Sequence, residues 1–139
     1  MKSNNATYTG FEFEVEGYPA VAIINTDLRE VNRAEYPYSV LIRIVPDVFN
    51  EYGHPEGAEY DYLLEIEKTM IGYLEETTRT VHVGHTTLYR LREVIFYTKD
   101  REAVEEYLGD YLPSIEKESS FEIEHDPEWA FVSEFYELL

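Results

Sequence analysis

Residues 11–16, Phe11-Glu12-Phe13-Glu14-Val15-Glu16, alternate strictly between apolar and carboxylate side chains, and this pattern narrows the fold more than any other feature. A period of two puts three apolar groups on one face of an extended strand and three charges on the other. Such a strand suits an antiparallel sheet with one face covered and one wet. The same alternation returns in Phe121-Glu122-Ile123-Glu124-His125, which predicts a last strand of the same kind.

The segments between them are read in the same way. Gly17-Tyr18-Pro19 supplies turn chemistry, and the short apolar run Ala20-Val21-Ala22-Ile23-Ile24 suits a more buried partner, so the first two strands form a hairpin. Residues 38–45 make a third strand stopped by Pro46, and residues 50–57, with two glycines and a proline, are a loop. Residues 56–76 form the main helix, because Tyr60, Leu63, Leu64, Met70, Ile71 and Leu74 recur at helical spacing. Residues 78–86 and 92–98 pair around 87–91. Asp100 caps a second helix with the stripe Val104, Tyr107, Leu108, Tyr111 and Leu112, closed by Pro113. Asp126-Pro127-Glu128 places an acceptor, a proline and an acid where a helix begins, so a terminal helix from Pro127 buries Trp129, Val132 and Tyr136.

The expected fold is therefore α+β: an antiparallel sheet with helices on one face. Residues 38–125 read βαββαβ, the order of a ferredoxin-like core. An N-terminal β-hairpin and a C-terminal helix complete a single domain over residues 1–139. With 44% hydrophobic and 15% aromatic residues the chain has ample material for one core, and that composition opposes disorder despite the high charge.

The charge bounds function. Against 11 Lys and Arg stand 29 Asp and Glu, for a net charge of −18. A field of that sign repels phosphate backbones and anionic lipid, so nucleic-acid and membrane partners are not expected. More than half of the net charge falls after residue 100. It reads as solvated outer faces, or as a surface that docks on a basic protein. There is no cysteine, hence no disulfide and no thiolate nucleophile, which is compatible with a reducing compartment. Residues 1–5 contain no apolar leader core, and no apolar run approaches the roughly 20 residues needed to span a bilayer. The expected location is cytoplasmic.

One acid does not fit the solvated population. At about 100° per residue, Glu67 falls in the middle of the main helix's apolar stripe, where a carboxylate must be paired, protonated or opened to solvent. Its partner is either a strand-borne Arg, His or hydroxyl in a structural role, or a group with which it performs acid–base chemistry. The run Val81-His82-Val83-Gly84-His85-Thr86-Thr87 offers two histidines. Three positions apart on a regular strand they face opposite sides, and they converge only if Gly84 sits in a bulge. No metal site and no cofactor are expected. His125 beside Asp126 reads as a strand-end residue with a hydrogen-bond partner. Motifs for serine nucleophiles, zinc proteases, phosphate loops and dinucleotides are missing. The 13 tyrosines suit an interaction surface, since each offers apolar area and a hydroxyl.

Several short motifs then occur in a telling order: Gly53-His54-Pro55; Glu59, Leu63 and Ile66-Glu67; Val83-Gly84-His85-Thr86-Thr87; Ile95-Phe96-Tyr97; and Asp126-Pro127-Glu128-Trp129. In this order the chain resembles the domain of unknown function 695 family, from about the first strand to Trp129. The family pattern often has Arg where this chain has His85. Some related proteins join such a domain to one resembling the regulator of ribonuclease E activity B, an acidic inhibitor that works by binding. The resemblance thus implies a binding or regulatory role.

Two functions of different class are expected from this. The first is a non-catalytic protein-binding or regulatory module, of inhibitor or immunity type, docking on a basic protein, with Glu67, His85, Thr86, Asp126 and Trp129 as binding residues. The second is a small hydrolase or isomerase using Glu67 with His82 or His85 as an acid–base pair. A nucleic-acid mimic is a third reading, and homo-oligomerisation is compatible with all of them.

Overall fold

Strands β1 (Tyr8–Val15) and β2 (Tyr18–Asn25) form the expected hairpin, with Phe11 and Phe13 half-buried and Glu12 and Glu14 exposed. The computed structural model describes residues 6–139, and the leader reading of residues 1–5 falls outside the described residues. Strand β3 (Tyr38–Ile44), helix α1 (Ala58–Thr77), strands β4 (Thr80–Leu88) and β5 (Leu91–Thr98), helix α2 (Arg101–Tyr111) and strand β6 (Ser119–His125) follow. A short helix α3 (Ser133–Glu137) ends the chain.

The six strands make one antiparallel sheet in the order β1-β2-β4-β5-β3-β6. The strands of residues 38–125 are contiguous in it as β4-β5-β3-β6, and the hairpin extends the sheet beyond β4. Both sheet edges, β1 and β6, carry outward carboxylates, which oppose edge-to-edge pairing with another chain.

Alternation along β3 and β5 divides the core. Val40, Ile42, Ile44, Val94 and Phe96 face α1 and α2, where they meet Leu63, Ile66, Met70, Leu74 and Leu108. Leu41, Ile95 and Tyr97 face the other way, against Leu28, Trp129, Val132 and Tyr136. The two long helices thus share one face, while α3 and the turn before it cover the opposite face. The sheet is wide enough that neither face of β3 or β5 is left to solvent.

Three local expectations are corrected. Asp126-Pro127-Glu128 opens a turn, not a helix: Trp129 takes a positive φ of 60° and α3 starts only at Ser133. The Asp126 carboxylate accepts from the N–H groups of Ala130 and Phe131 and from the Tyr97 hydroxyl, so it closes the turn and ties it to the sheet. Asp100 makes no side-chain cap on α2. Its carboxylate is taken by the backbone N–H and guanidinium of Arg79, the residue just before β4. The β4–β5 turn is also tighter than expected, with only Tyr89 and Arg90 between the strands. No helix among the described residues is long and apolar enough to cross a membrane.

Candidate functional site

A bulge in β4 builds the site. Opposite β5, His82 pairs with Phe96 and Gly84 with Ile95, so Val83 is an extra residue without a partner across the ladder. One added residue resets the alternation of side chains. His82 and His85, which a regular strand would send to opposite faces, both point toward α1. Gly84 is required because φ is +150° and a Cβ built there would lie 1.8 Å from the carbonyl oxygen of Ile23 on β2.

Glu67 projects from α1 into the space between the two imidazoles. It is only 3% exposed, yet its carboxylate is well contacted. His82 Nε2 lies 2.7 Å from Oε2 and His85 Nδ1 lies 2.8 Å from Oε1. The first contact is a hydrogen bond. The second is close but poorly directed, so Oε1 keeps no aligned donor. Burial pushes the Glu67 pKa up, and the contacts that His82 and His85 make with its two oxygens outweigh it. The carboxyl is therefore held well below its ordinary range and is ionised.

Two further side chains complete the cluster, and neither was identified from sequence. The Tyr8 hydroxyl on β1 is 2.8 Å from His82 Nδ1. A neutral His82 satisfies both neighbours when Nε2–H donates to Glu67 and Nδ1 accepts from Tyr8. Arg92, 1% exposed on β5, places Nη1 3.9 Å from Glu67 Oε1. Its Nε donates to Thr87 Oγ1, and Nη1 has no hydrogen-bond partner. Arg92 had a readable signal: Arg92, Val94 and Phe96 alternate onto the helix-facing side of β5, so a cation there demands an anion, as Glu67 demands a cation. Tyr8 had none, because its contact spans 74 residues of chain.

Above this cluster lies a groove of about 720 Å³. Ile23, Leu64 and Ile71 give it apolar walls, Tyr60 adds an aromatic one, and its polar lining joins Glu67, His82 and His85 to Tyr8, Lys68, Glu75 and Glu76. His85 lines the groove while its Nδ1 lies 2.8 Å from the carboxylate. This is a carboxylate-oriented imidazole, the arrangement that serves general acid–base transfer.

The other sequence candidates lie elsewhere. Thr86, next to His85, points to the opposite face and donates to Glu93 Oε1 at 2.9 Å. Asp126 closes the turn described above. Trp129 is fully buried, stacked on Tyr97 with ring centroids 4.2 Å apart, and its indole N–H donates to the carbonyls of Arg33 and Tyr36. A side chain so enclosed holds the turn against the sheet and offers a partner no surface. The structure brings together Glu67, His82 and His85, and it separates them from Thr86, Asp126 and Trp129. The second buried acid of α1, Glu59, accepts from the N–H groups of Asp47 and Val48 and from Lys117 Nζ, which satisfies it as a structural clasp. Among the described residues, no group of three or more His, Cys, Asp or Glu is arranged to hold a metal ion.

The family model described as "Family of unknown function (DUF695)" matches residues 8–136 of the chain. No curated protein and no solved structure matches it.

Proposed function

The chain belongs to the DUF695 family of unknown function, and from the site itself we propose that it binds a small, mainly apolar molecule in the groove and exchanges a proton with it through His85. The observation that carries this reading is the buried Glu67 carboxylate held between two imidazoles beside the groove. An ionised Glu67 fixes the His85 tautomer and stabilises the imidazolium that forms when Nε2 takes a proton. A pocket of several hundred Å³ with apolar walls and few convergent polar groups suits a small ligand. His82, itself held by the Tyr8 hydroxyl, bonds the second carboxylate oxygen and so fixes its orientation. The reaction class is proton transfer at the bound molecule, as in an isomerisation.

The test is a small-molecule fragment screen read by side-chain NMR of His82 and His85. Fragments that bind should shift His85 Nε2 more than His82. They should lose binding in Gly72→Trp, since Gly72 lines the groove and has open space at its Cβ position. A screen in which no fragment perturbs His85 in the wild type overturns the reading.

A second reading, docking on a basic protein, is favoured by a separate observation. Glu102, Glu106 and Asp110 on α2 are exposed, as is Glu124 on the β6 edge. Such a surface would speed association with a cationic partner and make it sensitive to salt. Complex formation indifferent to ionic strength would remove the basis for it.

A further inference from the structure

The outer seam between α1 and α2 carries three tyrosines, of which Tyr107 and Tyr111 pack partly against the core beneath. The rings of Tyr73 and Tyr107 stack with centroids 4.1 Å apart at 10°, and those of Tyr107 and Tyr111 lie 5.4 Å apart at 7°. The three planes are therefore nearly parallel and form a ridge from one helix to the other. Tyr73 is 47% exposed, and Tyr107 and Tyr111 are partly so. Aliphatic side chains could seal this seam. Three aligned phenol rings instead leave an aromatic surface on the outside of the molecule.

The charges on the two helices are mostly acidic, with Lys68 and Arg101 the cations among them. Glu106 and Asp110 flank Tyr107 and Tyr111 on α2 and are exposed. Glu65 on α1 acts electrostatically on the Tyr111 hydroxyl. The nearest cation on α2, Arg101, is engaged with Glu105. A nucleic acid could stack on such rings, but the carboxylates oppose its phosphates. A guanidinium satisfies both features, because it stacks flat on an aromatic face and donates paired hydrogen bonds to carboxylates. We infer that the Tyr73–Tyr107–Tyr111 ridge is a docking surface for an arginine-bearing segment of a partner protein. The inference rests on the docking reading above and is independent of the groove.

The probe is a fluorescent peptide with arginine at every third or fourth position, compared with the same peptide carrying lysine. Binding is read by anisotropy and by backbone NMR of the intact chain. The arginine peptide should bind several-fold more tightly and shift Tyr73, Tyr107 and their neighbours. Tyr73→Ala should weaken it about fivefold, a typical loss for an exposed cation–π contact, and Tyr73→Phe, which keeps the ring, should bind like the wild type. Tyr73 is exposed, so both variants should fold, and thermal melts check this. Glu106→Gln with Asp110→Asn should cost more affinity than Glu12→Gln with Glu14→Gln, which removes equal charge from β1. Equal binding of both peptides, or no effect of Tyr73→Ala, overturns the ridge. Binding with shifts confined to another surface overturns it too, and leaves the docking reading standing. If neither peptide binds even at low salt, both fail.

Discussion

Replacing Gly84 with alanine sets a methyl carbon 1.8 Å from the Ile23 carbonyl oxygen, where real contacts are essentially never under 3.0 Å. Local relaxation must then separate the two backbones by about 1.2 Å. The atoms in conflict are both main chain, so no side-chain rotation relieves them. β2 and β4 are joined over four residue pairs, Val21 with Thr87 through Ile24 with Gly84. A shift of that size breaks the ladder at its Gly84 end, at about 1 kcal/mol for each of one or two hydrogen bonds. The φ of +150° adds about 1–3 kcal/mol for a residue with a Cβ. Gly84→Ala should therefore lose roughly 2–5 kcal/mol. For a chain of this size that lowers Tm by about 6–20 °C. Urea unfolding of the purified variant, with the slope compared to wild type, measures the loss directly. Side-chain NMR of His82 and His85 tests the consequence for the site, because a variant that irons out the bulge to escape the clash turns His85 away from Glu67. A Gly84→Ala protein within about 1 kcal/mol of wild type, with both imidazoles still reporting the carboxylate, would refute the argument that this glycine builds the site.

Four further outcomes follow from the same geometry. Glu67→Ala leaves Arg92 and two imidazoles buried without their anion and should cost about 3–5 kcal/mol in chemical denaturation. The folded pKa of Glu67 lies below its ordinary 4.5, so its contribution is complete above about pH 4.5 and declines as pH falls toward the folded value. The Glu67→Gln variant should lose this part of the acid limb in urea midpoints measured across that range, and an unchanged limb would count against the ionised carboxylate. Asp126→Ala strands the partly buried Tyr97 hydroxyl and two turn N–H groups and should cost about 2–3 kcal/mol, with the near-ultraviolet signal of Trp129 altered. Trp129→Ala empties the core on the α3 side and should cost about 3–5 kcal/mol, while the NMR signals of His82 and His85 stay in place because the sheet lies between them.

Much of the architecture was legible because it is set by periodicity. The alternation at Phe11 to Glu16 and at Phe121 to His125 marked the two strands that became the sheet's edges, and the apolar spacing of α1 marked its buried face. Glu67 was legible as an anomaly for the same reason, since a period assigns a face and a carboxylate on an apolar face needs a partner. His82 and His85 were legible as a conditional pair, dependent on a bulge at Gly84. Less readable were the caps. Asp100 and Asp126 both have the chemistry of helix starts, yet Arg79 and Tyr97, each distant in sequence, compete for their carboxylates.

The sequence by itself determined which segments are strands and helices, which faces are apolar, and that one buried acid on α1 must be answered by some strand. Those are short-range properties, fixed by side-chain spacing along a single element. Tertiary structure decided that His82 and His85 both answer it from β4, joined by Arg92 of β5 and backed by Tyr8 of β1 behind His82. It also decided that Trp129 belongs to the core behind the sheet, not to a surface. The physical reason is strand order and register: both are settled by the packing of the whole sheet, and a single extra residue at the bulge redirects His85.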